Sequence, residues 1–498
     1  MAVEPEPLRL RSTLQRIEVV IEVGDSFVGV EIHRDFKFGR RGHPSCFAPC
    51  DVMRKPPRLP MRTAVPKPSR MAIRHLFLLA GALAMIPGAL QAQSIDPKVQ
   101  ARIDRILKAT PLIDGHNDLP EQLRENYNMG VEGLSSGTDR RPGHPLMTDM
   151  ARLHQGHVGG QFWSVYIPSE VTGDAAIRAT LEQIDIVKRL VKAYPNDLEL
   201  ARTADDVVRI HKTGRIASMI GVEGGHQIGG SLAALRQFYD LGARYMTLSH
   251  FKNNEFADSA TDDPKYHGLN AFGRTVVHEM NRLGMLVDLS HVSPETMAGA
   301  LDVSKAPVIF SHSDARALSD HPRNVPDNIL GRLEANGGVV MVNFYLGHLS
   351  EPYREWEGQH SAEEALLADL YTGQPDIRKV RLADWEKANP APKSDVGIIA
   401  DHIEHIVKIA GHDHVGLGGD LDGIPIDGAP PGMNSVSGYP FLFAELIRRG
   451  WSDSDLAKLA GGNLLRVLRQ AEAVAQSMGN EPPATTRLQP LSPTDPWK

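Results

Sequence analysis

The sequence predicts an α/β chain folded as a (β/α)8 TIM-like barrel, with a binuclear metal site at the C-terminal end of the strands. Three observations carry this. Eight short apolar runs alternate with helical stretches, the pattern of a parallel sheet. The alternation extends over roughly 370 residues, room for eight units with insertions. And six of the eight runs end on a His, Asp or Glu. An open doubly wound sheet would alternate likewise. However, the dinucleotide fingerprint that goes with it is missing, and Gly221-Val-Glu-Gly-Gly-His226 does not match its spacing.

The elements follow in order. Pro97–Ala109 places apolar residues at helical spacing and opens the domain. The strand-like runs are Leu112–Asp114, Gly160–Tyr166, Ala217–Val222, Tyr245–Leu248, Leu286–Leu289, Val308–Phe310, Val339–Phe344 and Val415–Leu417. Helices are expected at Asp174–Ala193, Thr203–Lys212 with Thr203 as N-cap, Ser231–Leu241, Leu269–Leu283, Ser293–Leu301 and Val396–Ala410. Ser350–Lys393 is polar, partly helical and ends in Pro390-Ala-Pro392; it reads as an insertion between the seventh and eighth strands that covers the mouth. Past Gln476 the chain turns rich in Pro, Thr and Ser. The domain is therefore expected over 94–475 and a disordered tail over 476–498.

The N-terminal part reads differently. Met71-Ala-Ile-Arg-His75 is a short basic start, Leu76–Ile86 an apolar core, and Ala89-Leu-Gln-Ala92 a small-residue cleavage site. Residues 71–92 thus have the layout of a secretory signal peptide, too short to span a membrane comfortably, and imply export to the periplasm or beyond. Residues 1–70, rich in Arg and Pro, are expected to be a gene-start artefact upstream of a start at Met71, or else a disordered extension. Both cysteines, Cys46 and Cys50, lie there, so the domain has no thiol for a disulfide or thiol catalysis. The net charge of -7 and 23% charged residues give no reason to expect a nucleic-acid partner.

The strand ends hold the chemistry. His116 and Asp118 close the first run two positions apart, so both side chains face one way. Glu223 ends the third, His250 the fourth, His291 the fifth, His312 the sixth, and Asp420 and Asp422 the eighth. Barrel enzymes place their chemistry at this end. Each residue alone has an ordinary structural reading: a hydrogen-bonded His, a turn Asp. Together they would crowd titratable groups at one end without partners, which is costly, and a metal site removes that cost. His116 and Asp118 form one ligand set, His291 and His312 another, and Glu223 can bridge two cations. Nitrogen and oxygen donors without thiolate fit two Zn2+, with manganese, cobalt or iron as substitutes.

At these residues the sequence resembles the membrane (renal) dipeptidase family, a branch of the metal-dependent amidohydrolases, over about residues 97–475. The resemblance is carried by Asp114-Gly-His-Asn-Asp-Leu-Pro120, Gly221-Val-Glu-Gly-Gly225, Tyr245-Met-Thr-Leu-Ser-His250, Asp288-Leu-Ser-His291, Phe310-Ser-His-Ser313, His321-Pro-Arg-Asn-Val-Pro-Asp327 and Gly418-Gly-Asp-Leu-Asp-Gly423. It implies a binuclear zinc site on a (β/α)8 barrel, held by His116, Asp118, Glu223, His291 and His312. It also implies that His250 contacts the scissile carbonyl oxygen, that Arg323 holds the free carboxylate of a dipeptide, and that Asp420 shuttles the proton. A homodimer is a further implication. The chain departs from the animal enzymes in Phe251-Lys-Asn-Asn-Glu-Phe256, which is less aromatic, and in lacking their cysteines and lipid-anchor tail. Two other readings compete: a lactonase or phosphotriesterase on the same barrel, against which no strand end offers a bridging lysine, and a periplasmic binding protein without turnover, against which stands the complete proton shuttle.

Overall fold

Branched and aromatic residues dominate the short runs, and the structure buries those runs on both faces, as parallel strands require. The computed structural model describes residues 19–23, 26–30, 95–486 and 488. It divides into two units. In the first, Val19–Val23 and Ser26–Val30 pair antiparallel, with Val19 opposite Val30. These strands fall within the expected artefact or extension, and the signal-like segment 71–92 lies outside the described residues.

In the second unit all eight expected runs are strands. They are β1 Leu112–Asn117, β2 Val158–Tyr166, β3 Ile216–Glu223, β4 Ala243–Thr247, β5 Leu286–Asp288, β6 Ile309–Phe310, β7 Val339–Val342 and β8 Val415–Leu417. Each pairs in parallel with the next, and Leu417 opposite Asp114 closes β8 onto β1, giving the (β/α)8 barrel. One strand escaped the sequence reading. Leu198–Leu200 pairs with the lower half of β3, while β4 takes the upper half of the same edge. Three residues are too short to show a period. Ile113, Phe162, Met219, Tyr245, Leu286 and Ile309 come from six different strands yet form one cluster, which fills the barrel interior.

The surrounding helices follow their caps and apolar stripes. Thr203 caps Ala204–His211 by accepting from the Asp206 amide at 3.0 Å, as expected. In Gly173–Ala193 the buried Thr180, Gln183, Ile184, Val187 and Val191 recur at helical spacing and face the barrel. The insertion between β7 and β8 forms two helices, Glu351–Leu370 and Pro375–Ala388. The last helix runs Asn463–Ser477, past the expected domain edge at 475. Beyond it Ala484 is fastened: its amide donates to Glu279 at 3.2 Å and its carbonyl accepts from Arg236 at 3.1 Å. Among the described residues no helix is long and apolar enough to cross a membrane.

Candidate metal centre

Barrel closure brings the expected residues to one end. His116 lies in β1 and Asp118 just past it, Glu223 ends β3, and His250, His291, His312 and Asp420 follow β4, β5, β6 and β8. The first and last strands are locked together by Asp114. This buried carboxylate accepts from the amides of His116 (3.1 Å) and Gly419 (3.0 Å) and from the Tyr439 hydroxyl. The Asp420 amide in turn donates to the His116 carbonyl at 3.2 Å. His291, Asp420 and Asp422 adopt left-handed backbone, with φ of 67°, 58° and 68°. Such strain in non-glycine residues persists where the surroundings enforce it, commonly at functional sites.

Glu223 is the hub. Its Oε2 lies 3.3 Å from His116 Nε2, and its Oε1 lies 3.0 Å from His291 Nε2 and 3.4 Å from both His250 and His312 Nε2. Asp118 Oδ2 is 3.3 Å and Asp420 Oδ1 3.9 Å from His116 Nε2. Three groups have donor atoms all within 4.8 Å of one another: His116 with Glu223 and His312, Glu223 with His250 and His291, and His116 with Asp118 and Asp420. Both expected pairs are close, His116 with Asp118 and His291 with His312 (Nε2 to Nε2 2.9 Å), and the rings of His116 and His312 also lie 3.8 Å apart while His250 approaches Glu223 as well.

The protonation states suit a cation. Burial, with Arg323 and neighbouring imidazoles, holds His291 and His312 well below the usual histidine range, so both are neutral at pH 7. Burial alone would raise Glu223, but His116 and His250 outweigh it and keep the carboxylate ionised. Yet His291 and His312 bring their Nε2 atoms to 2.9 Å. His116 Nε2 and Asp118 Oδ1 are buried without a hydrogen-bond partner. His116 differs: against burial, Tyr245 and the Glu223 and Asp118 carboxylates raise it well above the usual histidine range. Two neutral imidazoles and a set of crowded carboxylates, with unpartnered atoms between them, fit a divalent cation.

Outer partners aim the ligands. His312 Nδ1 donates to Ser311 Oγ at 2.8 Å, and that hydroxyl donates to buried Asp288 at 2.7 Å. His116 Nδ1 donates to the Tyr245 hydroxyl at 2.8 Å, which donates to the Gly115 carbonyl at 3.3 Å. Both relays leave the Nε2 lone pair pointing into the cluster. Ser164 donates to Glu223 Oε2 at 3.1 Å. Sequence reasoning gave no role at the centre to Asp288, Ser164, Tyr245 or Ser311. Barrel pairing brings Ser164 and Tyr245 to the ligands and Asp288 to Ser311, whereas Ser311 is already the chain neighbour of His312.

The remaining expected residues surround the cluster. Arg323 is buried to 2% exposure. Its Nη2 reaches the His312 carbonyl at 3.4 Å, while Nε and Nη1 have no partner. Asn343 donates to Asp420 Oδ2 at 2.9 Å. Burial first, then Asp118 and Glu223 against the pull of His116, push Asp420 up to about 8. The His250 ring lies tilted against His291, centroids 4.1 Å apart, and edge-on to Phe251 at 4.0 Å. Asp422 instead accepts from the Met147 amide at 2.7 Å and serves the loop. A cavity of about 120 Å³ opens on Asp118, Glu223, His250, His291 and Asp420, with Glu121, Tyr166 and Phe251 at its wall. No residue of the insertion lines it, although Glu357 of the insertion meets Tyr345 and Glu351 accepts from Ser319 and the Asp320 amide.

Comparison with known proteins agrees with this geometry. The family model "Membrane dipeptidase (Peptidase family M19)" matches residues 100–482. An uncharacterised dipeptidase of Schizosaccharomyces pombe is 42% identical over 440 residues, 85% of this chain and 96% of that protein. Dipeptidase 3 of Rattus norvegicus is 40% identical, covering 78% of this chain and 70% of its own. Among solved structures, the probable dipeptidase PvdM of Pseudomonas aeruginosa superposes with a TM-score of 0.63 at 25% identity, over 76% of this chain and 99% of that one. A metallo peptidase of Rhodobacter sphaeroides, liganded with a phosphinate mimic of L-Ala-D-Ala, shares the fold with a TM-score of 0.59 at 24% identity, over 73% and 99%. With its motifs, barrel and converging ligands in accord, the chain belongs to the membrane dipeptidase family, peptidase family M19.

Proposed function

We propose that this metal-dependent dipeptidase works with two zinc ions, held by His116, Asp118, Glu223, His291 and His312, and cleaves free dipeptides. The observation that carries the reading is the pairing of a donor cluster centred on Glu223 with a buried guanidinium, Arg323, that has two unpartnered nitrogens. A buried, unpaired charge is expensive unless a ligand neutralises it, and a planar fork suits a carboxylate. Bound divalent cations would supply Lewis acidity to the scissile carbonyl and acidify a shared water.

The chain's own residues do the rest. Arg323 fixes the terminal carboxylate and so sets the position of the peptide bond. His250 donates from Nε2 to the oxygen on which charge develops, with Ser169 3.4 Å from its Nδ1. Asp420, poised near neutrality, takes a proton from the attacking water and delivers it to the leaving amine through Oδ1, since Asn343 occupies Oδ2. The signal-like segment 71–92 supports an exported enzyme, and the family resemblance supports a homodimer.

The test is turnover of Ala-Ala and of its C-terminal amide by zinc-loaded protein. Cleavage of the free dipeptide alone is expected. Equal cleavage of both removes the Arg323 clamp. Cleavage of neither by fully metallated protein removes the dipeptide assignment.

A further inference from the structure

The wall of the cavity holds a carboxylate that the reaction above does not use. Glu121 lies in the first turn of the helix Leu119–Asn126, which starts directly after Asp118. Buried Leu119 and Leu123 seat this helix, and Gln122 ties it to the Asp422 carbonyl at 2.9 Å. The helix therefore holds Glu121 in a set position at the cavity wall. Among the described residues it makes no ion pair, and the charges acting most on it are all carboxylates: Asp118, Glu125, Glu223 and Asp420. Tyr166 lines the same cavity.

The other end of the site is set by Arg323, which follows β6, whereas Glu121 follows β1. In the ring of strands β1 and β6 are separated by β7 and β8, so the two residues enter the mouth from different sectors of the barrel. A free dipeptide carries an ammonium at one end and a carboxylate at the other. With its carboxylate on Arg323 and its peptide bond at Glu223, the ammonium falls on the Glu121 side.

From this placement we propose that Glu121 is the counter-ion for the α-ammonium group of the substrate's first residue, and thereby selects dipeptides with an unblocked N-terminus. The inference rests on the dipeptidase reading. Glu121 binds substrate and takes no part in proton transfer, so its removal acts on KM and leaves kcat little changed.

The test compares Ala-Ala with propanoyl-alanine, which lacks only the amino group, in the zinc-loaded full chain and its Glu121→Gln and Glu121→Asp variants. Calorimetric binding of the phosphinate isostere of Ala-Ala, with and without its amino group, runs alongside. The expected result is a preference for the amine-bearing member of each pair of about tenfold or more in the parent chain. Glu121→Gln abolishes it through KM, Glu121→Asp restores part of it, and zinc content and preference over the C-terminal amide persist. An undiminished preference in Glu121→Gln, in turnover or in isostere binding, overturns the assignment. Absence of turnover with every substrate would strike the dipeptidase reading, and the isostere pair would still decide for or against Glu121.

Discussion

Ser311→Ala removes one oxygen and tests whether the outer partners of the cluster matter. In the structure this hydroxyl accepts from His312 Nδ1 at 2.8 Å and donates to Asp288 at 2.7 Å, so it fixes which nitrogen of the ring carries the proton. Without it the ring can place its proton on Nε2, the atom that faces His291 and Glu223. Loss of such a partner weakens metal binding by roughly 10- to 100-fold, which is about 1.4–2.8 kcal/mol. The folding cost is separable. Asp288 keeps its bonds from the Thr247 hydroxyl and from the amides of Ser290 (3.2 Å) and Ser311 (2.8 Å). One lost bond to a charged group costs about 1.5–3 kcal/mol, less than the ~5–15 kcal/mol that holds a domain folded. The assay is zinc affinity by competition with a chelating dye, beside the thermal midpoint of the metal-free protein. A folded Ser311→Ala protein whose zinc affinity stays within about twofold of the parent would refute the relay, since the partner's loss should cost far more.

Three further outcomes are expected. Asp420→Asn keeps the shape and the Asn343 contact but cannot carry a proton, so kcat falls by roughly 10²- to 10⁴-fold with zinc content intact; loss of zinc in that variant would contradict the assigned role. Gly221→Ala would set a Cβ 2.0 Å from the Tyr245 ring and push the phenol off His116. It should cost about 1–3 kcal/mol in a denaturant midpoint and weaken zinc binding, and parental behaviour on both counts would show that the ring has room. His402 is buried with Nδ1 accepting from the Ala315 amide at 3.1 Å and Nε2 donating to the Leu349 carbonyl at 2.9 Å. Burial lowers it to about 4. The unfolded chain takes up that proton first, so stability is full above an unfolded pKa of ~6.5 and falls as the pH drops toward 4, by about 2 kcal/mol at pH 5. His402→Asn should flatten that part of the unfolding-against-pH curve, and an unchanged slope would assign the acid loss elsewhere.

How much of this was legible before folding differs from residue to residue. The eight strands show in sequence because a strand buried on both faces needs an unbroken apolar run, and the ends of six of them carry metal-binding types. His116, Asp118, Glu223, His250, His291, His312, Asp420 and Arg323 all gather where the sequence places them. What stayed hidden depends on closure. Ser164 meets Glu223 only because β2 pairs with β3. Tyr245 reaches His116 only across the barrel interior. The left-handed backbone of His291 and Asp420 has no local cue, because nothing in the neighbouring residues demands it. The approach of His312 to His116, beside its 2.9 Å approach to His291, was hidden for the same reason: the two residues meet only across the ring of strands.

The lock between Asp114 and the loop after β8 also has a bearing on the order of synthesis. Asp114 waits for the Gly419 amide and the Tyr439 hydroxyl, which emerge 305 and 325 residues later. The proton carrier Asp420 arrives in that same late stretch. A chain that ends before this stretch therefore holds every histidine of the centre but lacks both the lock and the carboxylate proposed to carry the proton, and is expected to show no turnover.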